Sequence, residues 1–385
     1  MKKFTKFTAL ALSLAMVVAS FAGCGAAAGA NTFKIGGIGP TTGGAAIYGT
    51  AVKNGADLAI KEINAAGGIN GVQIEYNFQD DELDNEKSVN AYNALKDWGM
   101  NILVGPTTSG CCVAVAAESV NDNMFQITPS GSSVDCITYD NVFQVCFTDP
   151  NQGIGAAAYI GQNNVASKVA VIYDSSDVYS SGIYTKFAQE AGNQPFDIVS
   201  AEAFTADSKT DFSVQLQKAA DNGAELVFLP IYYTEASLIL TQAASAGYNF
   251  KFFGCDGLDG ILGVENFDTS LAEGVMLLTP FAADAKDEKT QKFVADYEAA
   301  YGETPNQFAA DAYDAVYIIK AAIEKSGAKP SMSVSELGDA LKGAMTQISV
   351  DGLTGAAMTW TADGAVNKAP KAMEIKNGNY ALIQD

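Results

Sequence analysis

The sequence contains no histidine and no arginine, and all 23 of its basic residues are lysine. Without histidine there can be no Ser-His-Asp or Cys-His catalytic pair and no histidine ligand for a metal ion. Without arginine there is no bidentate clamp for a carboxylate or a phosphate. Any anion that this chain binds must therefore be held by lysine, hydroxyl groups, backbone N–H groups or helix N-termini.

Positive charge is also scarce relative to negative charge. The 385 residues carry 44 acidic side chains, and the net charge is −21 at pH 7. Such a chain repels phosphate backbones, so we expect no nucleic-acid partner. The cysteine spacings fit no zinc pattern, and we predict neither a metal site nor a cofactor. The segment GGIGPTTGG has neither G-x-G-x-x-G nor a GK[ST] ending, so it does not predict a nucleotide loop.

The N-terminus has the shape of an export signal. A positive segment, MKKFTKF, precedes an apolar run that ends in small residues, and Cys24 follows directly. The run is too short to be a spanning helix. The stretch FAGC resembles the bacterial lipobox, whose cysteine becomes lipid-modified after cleavage. We therefore predict a signal peptide over 1–23, a lipidated tether over 24–32 and an extracytoplasmic protein anchored to the cell membrane. An ordinary signal that is cut elsewhere is the alternative.

Five cysteines follow Cys24, and an odd number cannot all pair within one chain. Outside the cytoplasm a disulfide is permitted. We predict that Cys136 pairs with Cys111 or Cys112, and buried free thiols are the alternative for these residues and for Cys146 and Cys255.

Strand and helix patterns alternate along the rest of the chain in two sets. The first set begins with the strand FKIGGIG and includes helical patterns over 51–68 and near 111–122. A hinge-like stretch, TDPNQG at 148–153, separates it from the second set, which begins with KVAVIYD. The tail reads as a hairpin with Asn377 and Gly378 in its turn. These patterns predict an α/β fold with two Rossmann-like lobes whose parallel sheets border a cleft.

Two hydroxyl-rich segments follow buried strands of the first set. The predicted strand NILVG runs into PTTSG at 106–110, and the predicted strand MFQIT runs into PSGSS at 129–133. Because the carboxyl ends of parallel strands line such a cleft, both segments should face it. Clusters of this kind are most often helix caps or turns. Hydroxyls and backbone N–H groups at helix N-termini can, however, also satisfy a carboxylate without a counter-charge.

The order and spacing of these segments resemble one family from residue 33 to the C-terminus. GPTTSG, ITPSGSS, FQVCFTDPNQG and VAVIYDSSDVYSSG are similar to segments of the Leu/Ile/Val-binding type of extracellular solute-binding proteins, which have the type I periplasmic-binding-protein fold. The resemblance implies a first lobe of 33–149 and 280–356 and a second of 150–279 and 357–385, joined by a multi-strand hinge. It also implies that the lobes close over an amino acid and deliver it to an ABC permease in the membrane. We expect a monomer.

The resemblance implies a set of ligand-binding residues on the first lobe. Ser109 of GPTTSG falls where a serine binds the ligand carboxylate. Ser130 of ITPSGSS falls where backbone groups meet the ligand, and Ser132 falls where a hydroxyl meets the same carboxylate. Tyr48 and Phe308 fall on the wall around the ligand side chain. The two hydroxyl-rich segments are thus expected to form a carboxylate-binding cradle.

The resemblance also implies residues on the second lobe. Asp256 of FFGCDG falls where an acid pairs with the ligand ammonium, a position at which the branched-chain pattern usually has glutamate. Tyr179 and Tyr232 fall at two tyrosines that this lobe contributes. The resemblance implies a branched-chain amino acid (leucine, isoleucine or valine) as ligand. A bulkier apolar or aromatic amino acid, or a sensor that presents the same ligand to a membrane signalling protein, is the alternative.

An enzyme is the competing functional class, either an α/β hydrolase or an amide-processing enzyme. The absence of histidine, of a G-x-S-x-G motif and of any metal-binding cluster argues against it. We therefore predict that the chain is not an enzyme.

Replacement of Cys24 by serine should release the protein from membranes into the soluble fraction, because a lipidated Cys24 is the only anchor that the sequence predicts. Fractionation of cells that express the two forms, followed by immunoblotting, measures this. A Cys24→Ser variant that stays with the membrane to the same degree as the wild-type protein would rule out the lipoprotein prediction.

Overall fold

The computed structural model describes residues 32–383. The predicted signal peptide, Cys24 and all of the predicted tether except residue 32 lie outside the described residues.

Twelve strands and ten α-helices form in this part of the chain. The first sheet contains β1 Phe33–Gly39, β2 Ile74–Asp80, β3 Ile102–Val104, β4 Gln126–Thr128 and β5 Val142–Gln144. The second contains β6 Lys168–Asp174, β7 Asp197–Phe204, β8 Leu226–Leu229, β9 Lys251–Gly254, β10 Met276–Thr279, β11 Lys371–Lys376 and β12 Asn379–Leu382. The helices are α1 Ala46–Ala65, α2 Asn85–Trp98, α3 Ser109–Asp122, α4 Asp149–Gln162, α5 Val178–Ala191, α6 Ser213–Asp221, α7 Tyr233–Ser245, α8 Glu288–Tyr301, α9 Gln307–Ser326 and α10 Val334–Met345.

Both sheets are built mainly from parallel strands. The first has the order β2-β1-β3-β4-β5, and every neighbouring pair in it is parallel. The second has the order β12-β11-β10-β9-β8-β6-β7, and it is parallel except where β11 pairs with β10 and with β12. The antiparallel edge is the C-terminal hairpin that the sequence predicts, with Asn377 and Gly378 in its turn.

Capping residues set the ends of several helices. The Asp84 side chain accepts a hydrogen bond from the backbone N–H of Lys87 at the start of α2, and Gly99 ends this helix with a φ of 92°. Ser333 and Glu336 form a reciprocal capping box at the start of α10. These local signals agree with the tertiary structure.

Two helices begin earlier than the apolar periodicity predicts. The helix predicted over 51–68 spans Ala46–Ala65, and the helix predicted near 111–122 begins at Ser109. Thr108 has extended backbone angles and stands at the N-cap of α3, so the end of the hydroxyl-rich segment forms the first turn of the helix. The first backbone N–H groups of α3 therefore lie at the carboxyl end of β3.

The chain crosses between the two sheets three times within residues 32–383. It leaves the first sheet after β5, returns after β10 to form α8, α9 and α10, and passes back before β11. Helix α9 packs along α1, and Gly55 permits this because a Cβ there would lie 2.0 Å from the carbonyl oxygen of Ala309. Two mainly parallel α/β layers with several connecting segments confirm the predicted fold class.

A buried ion pair fixes the last crossing against α9. Lys368 Nζ lies 2.9 Å from Asp311 Oδ1, and both side chains are 2% exposed. The Thr354 hydroxyl accepts a hydrogen bond from Lys368 and donates one to Asp314 of α9. Either charge alone would be costly to bury, so the pair stabilises the contact between the last crossing and α9.

The prediction of a disulfide between Cys136 and Cys111 or Cys112 is wrong. All five cysteines in the described part of the chain are free and buried. The Cys136 thiol donates to the carbonyl of Ser109 at 3.6 Å, and Cys112 Sγ accepts from the Gln126 amide at 3.5 Å. These thiols therefore pack as small buried groups with polar neighbours of their own, as in the alternative that the sequence left open.

No helix in the part of the chain that the structure describes combines the length and the apolar character needed to cross a bilayer. Among the same residues, no group of three or more His, Cys, Asp and Glu side chains could hold a metal ion.

Candidate ligand-binding site

The two hydroxyl-rich segments meet at the carboxyl ends of the neighbouring strands β3 and β4. The hydroxyl oxygen of Ser109, the first residue of α3, accepts hydrogen bonds from the backbone N–H groups of Ser132 at 3.1 Å and Ser133 at 3.2 Å. The hydroxyls of Thr108 and Ser132 are buried and have no hydrogen-bond partner among residues 32–383. Hydroxyl donors thus converge on a helix N-terminus, an arrangement that favours an anion.

Ser130 contributes in a different way. Its hydroxyl donates to the carbonyl of Thr107 at 2.6 Å, and this bond holds the two segments together. The side chain is therefore used within the fold, and only the backbone groups of Ser130 are left for a ligand.

The second sheet presents Asp256 on a short turn that follows β9. Tyr179 of α5 donates its hydroxyl to Asp256 Oδ1 at 2.7 Å and accepts the backbone N–H of Gly257 at 2.9 Å. A Cβ at position 257 would lie 2.7 Å from the Tyr179 hydroxyl, so glycine is required for this approach. Burial raises the pKa of Asp256 to about 6, although the hydrogen bond from Tyr179 opposes the rise.

Four aromatic side chains predicted for the site lie against one another. The Tyr179 and Tyr232 rings stack with centroids 5.0 Å apart, Tyr48 meets the Tyr232 ring edge-on at 5.6 Å, and Tyr48 and Phe308 lie 4.3 Å apart. The Tyr48 hydroxyl also donates to the carbonyl of Gly257, which joins α1 to the turn after β9. The structure therefore brings aromatic residues from both layers into one continuous wall.

Two residues outside the predicted set, Asp149 and Gln152, connect the hydroxyl-rich segments to Asp256. Asp149 is the first residue of α4, its backbone N–H donates to the carbonyl of Ser132 at 2.9 Å, and its side chain is buried. One helical turn later, the amide oxygen of Gln152 accepts the backbone N–H of Asp256 at 3.0 Å. Neither oxygen of Asp149 nor the Gln152 amide nitrogen has a partner in the described chain. The predicted residues and these two thus form one continuous site.

Asp149 is a buried carboxyl group without a hydrogen-bond partner for either oxygen in the described chain. Burial raises the pKa of Asp149 well above its ordinary value, and the charge of nearby Asp256 adds to the rise. The neighbouring Ser132 hydroxyl, although not in hydrogen-bond geometry with the carboxyl group, opposes it in part. Within residues 32–383, neither Asp149 nor Asp256 forms a salt bridge with a lysine. Two neighbouring buried carboxyl groups without a counter-charge favour a cationic group between the two layers.

The sequence signal for Asp149 is weak because it has a second explanation. Asp149 and Pro150 occupy the first turn of α4, where an acid and a proline stabilise a helix whatever the helix binds. TDPNQG therefore reads as a connection and a helix start. Only the position of α4, with Asp149 bonded to Ser132 and Gln152 bonded to Asp256, places the side chain among the candidate site residues.

The site therefore combines hydroxyl and N–H donors with two buried carboxyl groups, Asp149 beside Ser132 and Asp256 on the turn after β9. Such a pair of subsites is complementary to a small zwitterion. A family model described as periplasmic binding protein matches residues 32–379. The chain belongs to the periplasmic binding protein family. The resemblance drawn from the sequence is confirmed, and the family consists of binding proteins and not of enzymes.

The names of two relatives state which amino acids those proteins bind. This periplasmic binding protein is 30% identical over 327 residues to the leucine-, isoleucine-, valine-, threonine- and alanine-binding protein of Pseudomonas aeruginosa, and the match covers 84% of this chain and 86% of the relative. It is 31% identical over 295 residues to the Leu/Ile/Val-binding protein BraC3 of Rhizobium johnstonii, covering 76% of this chain and 79% of the relative.

A solved structure has the same architecture. The branched-chain amino acid transporter substrate binding protein LivJ from Streptococcus pneumoniae, in complex with isoleucine, matches this periplasmic binding protein with a TM-score of 0.83 and 30% identity. The match covers 92% of this chain and 100% of LivJ. The predicted type I periplasmic-binding-protein fold is therefore confirmed.

Asp149→Asn should stabilise the protein in the absence of added ligand. The raised pKa means that the folded state binds a proton more tightly than the unfolded state, so stability is lost as pH rises through the folded pKa. Asparagine removes this cost and breaks no side-chain hydrogen bond, and the free energy of unfolding at pH 7.5 should rise by about 1–3 kcal/mol. The gain should shrink at pH 5.

Urea denaturation of both forms at the two pH values measures this effect. The exposed Asp197, replaced by asparagine, is the matched control and should change stability by less than about 0.5 kcal/mol. An Asp149→Asn variant that is no more stable than the wild-type protein at pH 7.5 would show that Asp149 is not a desolvated, unpaired carboxyl.

Proposed function

We propose that this protein captures a branched-chain amino acid outside the cytoplasm and delivers it to an ABC importer. In this proposal, the lobes consist of 33–149 with 280–356 and of 150–279 with 357–385, and the ligand joins them. The observation that carries the proposal is that two kinds of group occur in one site. Buried hydroxyls without a hydrogen-bond partner lie at and near the start of α3, and two buried carboxyl groups there have no salt-bridge partner in the described chain. The names of the relatives support the ligand class.

The ligand carboxylate is assigned to the hydroxyl-rich cradle. Ser109 and Ser132 donate their hydroxyls, Thr108 offers a third, and the backbone N–H groups that open α3 add the field of a helix N-terminus. Several neutral donors replace the arginine that this chain lacks. Ser130 contributes through its backbone groups.

The ligand ammonium is assigned to Asp256 together with Asp149. An ammonium between the two carboxyls supplies the positive charge that neither acid finds among the described side chains. Because Asp256 follows β9 of the second sheet and Ser109 and Ser132 follow β3 and β4 of the first, one zwitterion contacts both layers. Binding energy can thereby favour the conformation in which the layers lie together.

The ligand side chain is assigned to the aromatic wall of Tyr48, Tyr232 and Phe308, with Tyr179 beside it. This wall contains no cation, so it discriminates against aspartate and glutamate. An apolar wall favours leucine, isoleucine or valine, and each missing methylene should cost about 1–3 kcal/mol.

The proposal includes anchorage at a lipidated Cys24 and a monomer that meets an ABC permease in the membrane. The charge of −21 and the absence of arginine support a surface that does not bind nucleic acids.

A thermal-shift screen against the twenty amino acids, followed by calorimetry on the hits, tests the proposal. We expect an aliphatic branched amino acid to rank first and glycine and glutamate to rank near the bottom. A ligand present at about 100 times its Kd adds roughly 2.7 kcal/mol of stability, which such a screen detects. A first rank for an aromatic amino acid would move the ligand to the alternative class, and tight binding of glutamate, of a sugar or of no amino acid would refute the proposal.

Asp256→Asn should reduce the binding free energy of the best ligand by about 2–5 kcal/mol, because the buried ammonium loses a charged partner. The amide oxygen of the new side chain can still accept from Tyr179, so the fold should be retained. The exposed control Asp197→Asn should bind as the wild-type protein does. Wild-type affinity in Asp256→Asn would remove this residue from the site.

A further inference from the structure

A second cavity of about 930 Å³ lies beside the site just described, and none of the predicted ligand-binding residues lines it. One wall is the start of α1, with Ile47. The lining also includes Leu262, on the segment that follows β9, and Tyr380 of the C-terminal hairpin. Phe281, on the connection after β10, lines the cavity as well. The cavity is therefore formed jointly by residues packed on both sheets.

Four carboxylate side chains and one lysine line this cavity: Asp259, Asp284, Glu298, Glu303 and Lys376. Asp284, Glu298 and Glu303 are exposed, whereas Asp259 is only 5% exposed. Acidic side chains therefore line the cavity at both exposed and buried positions, and they outnumber the one lysine.

Asp259 has an oxygen that the fold does not use. Its Oδ2 accepts the backbone N–H of Gln307 at 2.9 Å, whereas its Oδ1 is buried and has no partner among residues 32–383. Burial raises the pKa of Asp259 to about 7, and the hydrogen bond from Gln307 opposes this. A buried carboxyl oxygen without a donor is costly unless a ligand supplies one, and a cation supplies the strongest.

Apolar surface lies on the walls of the cavity along with these charges. Ile47, Leu262, Phe281 and Val294 present apolar side chains to the same space. A ligand that satisfies such a lining has two positive ends and an aliphatic middle. We propose that this cavity is a second ligand site, which binds a short aliphatic diamine with one ammonium at Asp259 and the other at the exposed carboxylates.

The second site adjoins the first through two shared elements. Asp256 and Asp259 lie at the two ends of the same short turn after β9. Gln307, the first residue of α9, donates its backbone N–H to Asp259 and its side-chain amide to the carbonyl of Asp256, at 2.9 and 2.8 Å. The two sites are thus distinct but separated by only one turn of chain, and the test must tell them apart.

Calorimetric titration of the full-length protein with diaminopropane, putrescine, cadaverine and hexamethylenediamine tests the proposal. We expect saturable binding with an optimum at one chain length, and at least about tenfold weaker binding of butylamine, which has a single ammonium. Butanediol, which has no charge, should not bind. Absence of saturable binding throughout the diamine series would overturn the proposal.

Variants locate the bound diamine. Asp259→Asn keeps an acceptor for the N–H of Gln307 and should weaken diamine binding by about tenfold or more. The double variant Glu298→Gln with Glu303→Gln changes exposed residues only, and it should weaken binding by about two- to fivefold. The matched control is Glu288→Gln. Glu288 is exposed, lies on α8 as Glu298 does and does not line the cavity, so this change should leave diamine binding unaltered.

Asp256→Asn separates this proposal from the proposed function. It should weaken the binding of the amino acid by about thirtyfold or more and leave the Kd of the diamine within about threefold of the wild-type value. Loss of diamine binding in Asp256→Asn, or unchanged binding in Asp259→Asn, would place the diamine elsewhere and overturn the second site. If Asp259→Asn does not fold, unchanged diamine binding in the double glutamine variant would overturn it.

Discussion

Buried carboxyl groups that lack a cationic partner are the constraint on which the binding site depends. The chain contains no arginine, and no lysine forms a salt bridge with Asp149 or Asp256 within residues 32–383. Burial of these acids costs free energy that the rest of the fold must supply. Buried charged groups without a partner are expected at functional sites, where a ligand supplies the partner that the protein lacks. The ion pair between Lys368 and Asp311 shows the contrasting solution for a buried acid with a structural role.

The position of these acids links binding to the arrangement of the two layers. Asp149 begins α4, directly after the chain has left the first sheet, and Asp256 follows β9 of the second. Ser132 contacts Asp149 through the backbone, and Gln152 contacts Asp256 from the same helix. A cation bound between the acids therefore contacts groups that are attached to both sheets and to the segment that connects them. Such contacts can favour a conformation in which the two layers lie together.

The sequence predicted the fold well because its signals are local. Alternating strand and helix patterns, capping residues such as Asp84 and the Asn377-Gly378 turn correspond to elements of the structure. The starts of α1 and α3 were predicted too late, because small residues and hydroxyls carry no apolar periodicity. The disulfide prediction was wrong because cysteine spacing does not reveal which polar group each thiol contacts.

Only part of the candidate site is predictable from the sequence, for a different physical reason. Ser109, Ser132 and Asp256 could be named from the resemblance. The structure joins the two serines by a hydrogen bond, and it links Ser132 to Asp256 through the first turn of α4. Asp149 and Gln152 could not, since an acid and an amide in the first turn of a helix have an ordinary capping explanation. The difference between a cap and a binding group lies in burial and in missing partners, which are properties of three-dimensional packing. The same is true of Asp259 in the second cavity.

We infer that one site holds both charges of the ligand, the carboxylate by hydroxyls and backbone N–H groups and the ammonium by buried acids. Calorimetric comparison of leucine with isocaproate, which lacks the ammonium, and isoamylamine, which lacks the carboxylate, measures what each charge contributes. If both charges are bound as described, each analogue should bind at least about thirtyfold more weakly than leucine, since each loses about 2 kcal/mol or more. Binding of either analogue within about threefold of leucine would contradict the account.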